Sequence, residues 1–466
     1  MTRTLLISQD IIGQRMAGPG VRYVNLAQAL APHTQLTLAA PNLATSSPPL
    51  STSGYAFVHY TLGQWASLEA LATQADVIIL PIDTASEFPQ LAALNACLVI
   101  DGYDPLMAEW LALYADHSPL DADTDWRHRM ALCTQPALMG DFFICASERQ
   151  RDWWLGQLEA HGRLNLHTYR QDPSLRQLLD VVPFGMTAET PPERHKQPRT
   201  LMPRLFPSIT DDDKLILWAG GLWPWLDPIT AIKGVQLAYQ QRPDLRLVFP
   251  GTRRPNAEAV SEIAGHFQQV YAAAEASGLL NRAIFFGDWV PYEQWHTLLR
   301  ETDVALTCHH DTLETRLAYR SRTLDLMWAG VPIVSTHGDA TSDLIRQHRV
   351  GLTVPYGDAN AVAAALLQLL NKPIAAANFD QLRVQYAWAK AAAPLIQFCQ
   401  QPRRAADRAT NQLTRGNPHY AAEAAIQTQN KLNQLVAERD HWHNLVRQYE
   451  SGRFIRLMKW LGKFKI

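Results

Sequence analysis

Short apolar runs alternate with amphipathic stretches along most of this chain, in two series separated by a Pro-, Arg- and Thr-rich stretch. Leu5-Leu6-Ile7, Leu36-Thr37-Leu38, Val77-Ile78-Ile79-Leu80, Leu98-Val99-Ile100 and Phe142-Phe143-Ile144 read as buried strands of the first series. Leu215 to Ala219, Leu245 to Phe249, Ile284 to Phe286, Val304 to Thr307 and Ile333 to Ser335 read as those of the second. Parallel strands buried on both faces have this character, and helices between them supply the crossovers. The expected fold class is α/β, with two doubly wound Rossmann-like domains. Ligands of such sheets bind at the carboxyl ends of the strands. A chain of 466 residues suits two domains and an appendage.

The most informative stretch runs from Asp303 to Asp343. A strand over Val304–Thr307 leads into a polar loop from His309 to about Arg320. A helix follows from about Ser321 to Ala329, Gly330 stops it, and Val331-Pro332-Ile333-Val334 starts the next strand. The first amides of that helix lack intrahelical partners, and its dipole favours an anion there. Arg316, Arg320 and Arg322 crowd the end where acids would stabilise a helix. Their placement predicts a bound anion, and Asp325, one turn in, is placed to reach sugar hydroxyls beside it. A surface helix with solvated arginines is the bland alternative.

Leu324-Asp325-Leu326-Met327-Trp328-Ala329-Gly330-Val331-Pro332-Ile333-Val334 resembles the C-terminal signature of family 4 glycosyltransferases. Those enzymes have the GT-B fold, with two Rossmann-like domains facing across a cleft. In that signature a glutamate, seven residues and a second glutamate precede a helix ending in Gly-x-Pro. Asp325 matches the second glutamate, one methylene shorter. Leu317 stands where the first would fall, and Glu314 is the candidate to replace it. The resemblance covers roughly residues 1 to 400. It implies a nucleotide-sugar donor and retention of anomeric configuration. It also implies a first, acceptor-side domain over 1–185 and a nucleotide-sugar-binding domain over 186–378. Terminal helices over 379–401 would cross back to the first domain. Residues 402–466 would form a linker, a short coiled coil and a basic tail.

Other loops at strand ends add candidates. Gly18-Pro19-Gly20-Val21-Arg22 permits close backbone approach before a helix, or is a simple turn. It resembles the glycine-rich loop that faces the donor phosphates, which makes Gly18, Gly20 and Arg22 candidates. Asp101-Gly102-Tyr103-Asp104-Pro105 sets two carboxylates and a phenol at a strand end. Asp104-Pro105 also reads as a helix cap. The histidine that many family 4 enzymes place near here is absent. Asp101, Asp104 and Arg320 are the candidate catalytic side chains. Ser321, Arg322, Asp325 and Glu314 are candidates for the nucleotide sugar. Gly220-Gly221-Leu222-Trp223-Pro224-Trp225 occupies the place of the family's Gly-Arg and lysine clamp, so Gly221 remains while the clamp does not. Arg253 and Trp289 lie in further loops that match the family; Trp289 either stacks on a nucleobase or packs on a helix. Asp121-Ala122-Asp123 has the look of a metal-binding DxD but sits before a helical run, which favours capping and surface charge. No metal and no cofactor is expected.

A net charge of −2 gives no sign of a nucleic-acid partner. Five scattered cysteines fit reduced, buried thiols in a cytoplasmic protein. No signal peptide or spanning segment is read from the sequence. Leu432, Leu435, Arg439, Trp442, Val446 and Tyr449 keep heptad-like spacing, so 420–450 self-associates as a coiled coil or forms a lone amphipathic helix. Residues 452–466 alternate basic and large apolar side chains without an acid. That pattern predicts a peripheral contact with the anionic inner face of the cytoplasmic membrane, or docking on a partner. The expected function is transfer of a sugar to a glycan or lipid-linked acceptor in cell-surface polysaccharide or glycolipid assembly. An inactive scaffold and a sugar-nucleotide epimerase of the same fold are the alternatives.

Overall fold

The computed structural model describes residues 1–409, apart from 15, 43–53, 192, 195–196 and 253–260, together with 435–436 and 438–446. The chain divides into a unit over 1–409 and a second over 410–466. The first unit holds two parallel sheets. One has seven strands: β1 (Arg3–Ile7), β2 (Gln35–Pro41), β3 (Ala56–Tyr60), β4 (Val77–Pro81), β5 (Cys97–Asp101), β6 (Phe142–Cys145) and β7 (Leu179–Val181). Their spatial order is β3-β2-β1-β4-β5-β6-β7. The other has six: β8 (Lys214–Trp218), β9 (Leu245–Phe249), β10 (Ile284–Phe286), β11 (Val304–Thr307), β12 (Ile333–Thr336) and β13 (Gly351–Val354), in the order β10-β9-β8-β11-β12-β13. Central strands such as β4 and β11 are buried along their whole length, as strands covered by helices on both faces must be.

In both sheets the order reverses beside the first strand of the domain, and the switch points open a crevice at the strands' carboxyl ends. The loops around that crevice have local causes. Asp10, after β1, accepts hydrogen bonds from Ala17 N at 3.2 Å and Gly20 N at 3.4 Å, which folds the loop onto the start of helix Gly18–Leu30. A β-carbon on Gly20 would sit 2.6 Å from Ile11 O, so this close turn requires glycine. In the second domain, Asp227 caps helix Pro228–Tyr239 by accepting from Thr230 N. The loop before it is zipped to the loop after β11, through Asp227 N to Cys308 O at 2.9 Å and His310 N to Trp225 O at 3.1 Å. The Trp223 and Trp225 rings stack in between.

Two passages of chain join the domains, and they lie side by side. Met186 N donates to Tyr386 O at 2.6 Å, and Trp388 N donates to Met186 O at 3.1 Å. A β-carbon on Gly185 would meet Trp388 Cα at 2.7 Å, so the crossing is close enough to exclude any side chain there. Helix Ala393–Gln400 then packs on the first domain, with Phe398 stacked on Phe142 at 4.7 Å between centroids. The polar stretch from 402, expected to begin a linker, instead continues to Ala409 as an anchored strap. Asp141, buried at the start of β6, accepts from Arg404 Nη1 (3.1 Å), Arg408 Nη1 (2.8 Å) and Ala405 N (3.1 Å). Asp407 forks onto buried Arg163. In the second unit, residues 438–446 are helical. The remainder of the heptad-like segment and all of 452–466 lie outside the described residues. Among the described residues, no helix is long and apolar enough to cross a membrane.

Candidate functional site

Helix Ser321–Ala329 begins at the crevice. Its N-cap residue, Arg320, contributes no side-chain cap; Thr323 N bonds Arg320 O at 3.0 Å, which leaves the Ser321 and Arg322 amides available. Gly330 closes the other end in the left-handed conformation, with φ of 73°. Gly18, Ser321, Arg322 and Asp325 line one narrow cleft, together with Tyr292 and Trp295. A β-carbon on Gly18 would come within 3.5 Å of Ser321 Oγ, so the two domains meet at the start of this helix. The Arg322 guanidinium lies over the Trp295 ring at 4.3 Å and approaches Asp325 Oδ2 at 3.4 Å. Trp295 Nε1 donates to the same oxygen at 2.9 Å. Burial raises the Asp325 carboxyl above its usual range, against the pull of Arg322 and the indole hydrogen bond. About a third of its side chain remains accessible, at 33 %.

A second group lies beside it. Arg320 grips Glu314 through two parallel bonds of 2.7 and 2.8 Å and approaches Asp339 Oδ2 with Nε at 3.4 Å. Glu314 sits on a short helix, Leu313–Leu317, capped by Thr312, within the stretch expected to be loop. Burial raises its carboxyl, and Arg320 opposes the shift. Burial also works against the charge on Arg320, but Glu314 and Asp339 outweigh it and hold the guanidinium protonated. His309 packs against this group, with Nε2 at 3.9 Å from Asp339 and 3.2 Å from His337 O. Burial pushes its pKa down to about 4. Glu109, on helix Leu106–Leu113 of the first domain, is pushed well up by burial and then by Asp104 and Glu314. The first domain's carboxylates thus come near the Glu314–Arg320 pair.

The remaining candidates are placed apart. Asp101 and Arg22 form a closed fork of 2.7 and 3.0 Å with no exposed side-chain surface on either, and Arg22 also donates to Val182 O. The Arg22 guanidinium lies over both the Tyr103 and Phe184 rings, at 5.1 and 5.0 Å from their centroids. Asp104 is half-buried after β5, next to Pro105, which occupies the N-cap position of helix Leu106–Leu113. Gly221 accepts from Trp218 Nε1 at 3.0 Å. Trp289 packs on Gly251, and its indole N–H has no protein acceptor. Arg253 lies outside the described residues. The acids of the DxD-like segment stand within helix Pro119–Met139, where Asp123 and Asp125 pair with Arg127 and Arg129 one turn on. No cluster of metal-ligating side chains occurs among the described residues.

Reading the sequence alone missed Trp295, Asp339 and His309. Trp295 has a visible signal, since helix Tyr292–Glu301 is strongly amphipathic and Trp295 belongs to its buried face. Asp339 shows the Asp-x-x-Ser spacing of an N-cap and accepts from Ser342 N. Nothing local announces that its other oxygen faces Arg320.

Two facing, doubly wound parallel sheets joined in this way are the GT-B architecture. Within it, residues 213–372, covering most of the second domain, match the sequence model of a family described as "Glycosyl transferases group 1". The structure as a whole is similar to sucrose-phosphate synthase from Thermosynechococcus elongatus, with TM-score 0.61 and 14% identity, over 86% of this chain and 99% of that one. It is also similar to Anabaena HepE, solved with UDP and glucose, with TM-score 0.54 and 14% identity over 89% and 100% of the two chains. WaaG, a glycosyltransferase involved in lipopolysaccharide biosynthesis, gives TM-score 0.51 and 14% identity over 89% and 100%. At these identities the likeness is one of fold. No curated protein sequence matches the chain.

Proposed function

We propose that this chain is a glycosyltransferase of family 4 that moves a sugar from a nucleotide-sugar donor to a glycan or lipid-linked acceptor, without a metal. The observation that carries this reading is the uncapped start of helix Ser321–Ala329. There, free amides, the Arg322 guanidinium and the Asp325 carboxylate open into the cleft opposite Gly18. The amides and guanidinium suit a diphosphate, and the carboxylate suits the hydroxyls of the adjoining ribose. Anabaena HepE, of the same fold, was solved with UDP-glucose, which is the chemistry such a site would take.

Departure of the nucleoside diphosphate builds negative charge on the leaving oxygens. Fixed amide dipoles and Arg322, aimed where that charge develops, stabilise it without reorganisation. Arg322 would exchange its contact with Asp325 for the phosphate, freeing Asp325 for the ribose. Arg320 would act near the transferred sugar, held in orientation by Glu314 and Asp339. Asp104, on the acceptor side, is the carboxylate to receive an acceptor hydroxyl. Asp101 would act indirectly, by holding Arg22 under the loop that carries Gly18.

The test is release of nucleoside diphosphate from a panel of nucleotide-sugar donors, with and without glycan and lipid-linked acceptors. At least one donor is expected to be consumed in an acceptor-dependent way. Asp325→Ala should weaken UDP binding, measured by calorimetry, by about 1.5–3 kcal/mol, the range for hydrogen bonds to a charged group. A folded chain that consumes no donor, and whose UDP affinity ignores Asp325, would instead be a scaffold.

A further inference from the structure

Helix Glu148–Ala160 starts at the carboxyl end of β6, in the first domain, yet its first turn reaches the second. Ser147 caps it by accepting from Gln150 N at 3.2 Å, and Arg149 and Gln150 belong to the turn so capped. The Gln150 amide is buried with its bonding capacity engaged on both ends. Its oxygen accepts from Ala146 N at 2.7 Å, while its nitrogen donates to Tyr103 O at 2.8 Å and Leu317 O at 2.9 Å. Tyr103 belongs to the first domain and Leu317 to the second. Arg149 donates to Gly338 O and to the Asp343 carboxylate, both in the second domain.

These attachment points are adjacent to the group built around Arg320. Leu317 ends the short helix that carries Glu314, and Gly338 immediately precedes Asp339. Tyr103 immediately precedes Asp104. Two neighbouring residues therefore fix the register between the first domain's candidate carboxylate and the second domain's Glu314–Arg320–Asp339 group. Gln150, buried, bonds both domains in this closed arrangement. The Arg149–Asp343 pair, exposed over 35 % and 40 % of its two side chains, contributes little to folding and can open without unfolding either domain. Interfaces between domains of one chain commonly open and close around ligand.

We propose that Arg149 is a positioning residue, a latch that with Gln150 aligns the Arg320 group against the Asp104 loop when the cleft is closed. The catalytic consequence rests on the glycosyltransfer reading above, whereas the latch itself does not. The planar fork of arginine lets one side chain hold a carbonyl and a carboxylate together, which lysine does less well.

The experiment uses the full chain, Arg149→Ala, and the charge exchange Arg149→Asp with Asp343→Arg. Small-angle scattering is measured with and without UDP, UDP affinity by calorimetry, and UDP release from whichever UDP-sugar the unmodified chain consumes. Arg149→Ala should enlarge the radius of gyration in the presence of UDP. Its UDP affinity should stay within about twofold while kcat falls about tenfold or more, because alignment is lost and ground-state binding is not. The charge exchange should restore part of kcat, which a general loss of stability would not allow. Unchanged scattering together with unchanged kcat overturns the latch. So does a loss that follows UDP affinity or melting temperature and is not relieved by the exchange. If the unmodified chain consumes no donor, the glycosyltransfer reading fails, and scattering alone then decides the latch: no change on Arg149→Ala overturns it.

Discussion

His309 shows how strongly a single residue can be set by its surroundings. It is fully buried, its imidazole stays neutral down to about pH 4, and Arg320 adds a positive neighbour that burial cannot screen. In the unfolded chain it would titrate near 6.5, so below that pH the unfolded state binds a proton that the folded state refuses. Its stabilising contribution is therefore complete above pH 6.5 and is lost as pH falls towards 4, by roughly 3 kcal/mol in all. The raised carboxyls of Asp101, Glu314 and Asp325 act with the opposite sign, because their folded forms hold protons more readily than the unfolded chain does. The comparison that isolates His309 is thus between the chain and His309→Gln. Chemical denaturation at pH 7 and pH 5 should show a smaller acid loss in the variant. Equal losses would mean that the imidazole charges in place.

At the scale of elements, what was legible followed burial. The central strands β1, β4, β5, β8, β9 and β11 are predominantly apolar and stand out. The strands β3 and β13 do not, because each lies at a sheet edge and is only partly covered. Three-residue β7 is too short to carry a pattern. The start of helix Ser321–Ala329 could be read from its arginines and glycine stop. The partners of Arg320 could not, since Asp339 and Glu314 reach it by tertiary packing; of the DxD-like acids, Asp123 and Asp125 pair with arginines one turn on, and Asp125 also accepts from Trp110. The strap over 403–409 looked like linker because its residues are charged. Those charges are its anchor, through Asp141, whose buried carboxylate also accepts from Leu98 N at 2.9 Å. Asp141→Ala would leave Arg404 and Arg408 without their shared carboxylate. A loss of about 3–5 kcal/mol, the cost of breaking a buried pair from one side, is expected in urea denaturation. A loss below about 1 kcal/mol, the worth of an exposed pair, would show that the strap peels away freely.

For the whole molecule, the proposed acceptor and the basic segment 452–466 make one prediction together. The segment carries Arg453, Arg456, Lys459, Lys463 and Lys465 among large apolar residues. Each basic residue near an anionic surface adds about 1 kcal/mol that salt screens, while apolar burial adds a part that salt does not. Full-length protein should co-sediment with anionic vesicles, less so at high salt, and a chain ending at Ser451 should stay in solution. Equal sedimentation of the two would end the idea of a membrane contact. The paired crossings at Met186 and Ala387 carry a different consequence. Since the chain leaves the first domain and returns to it at one point, the second domain is topologically an insert. Its two ends meet within hydrogen-bonding distance, so genetic excision of 188–385 would leave a first domain whose cut ends already touch. The excised piece would have adjoining termini of its own, the arrangement that circular permutation exploits. The second domain can thus be exchanged between chains as a cassette, with Gly185 and Trp388 as the fixed border against which any replacement must fit.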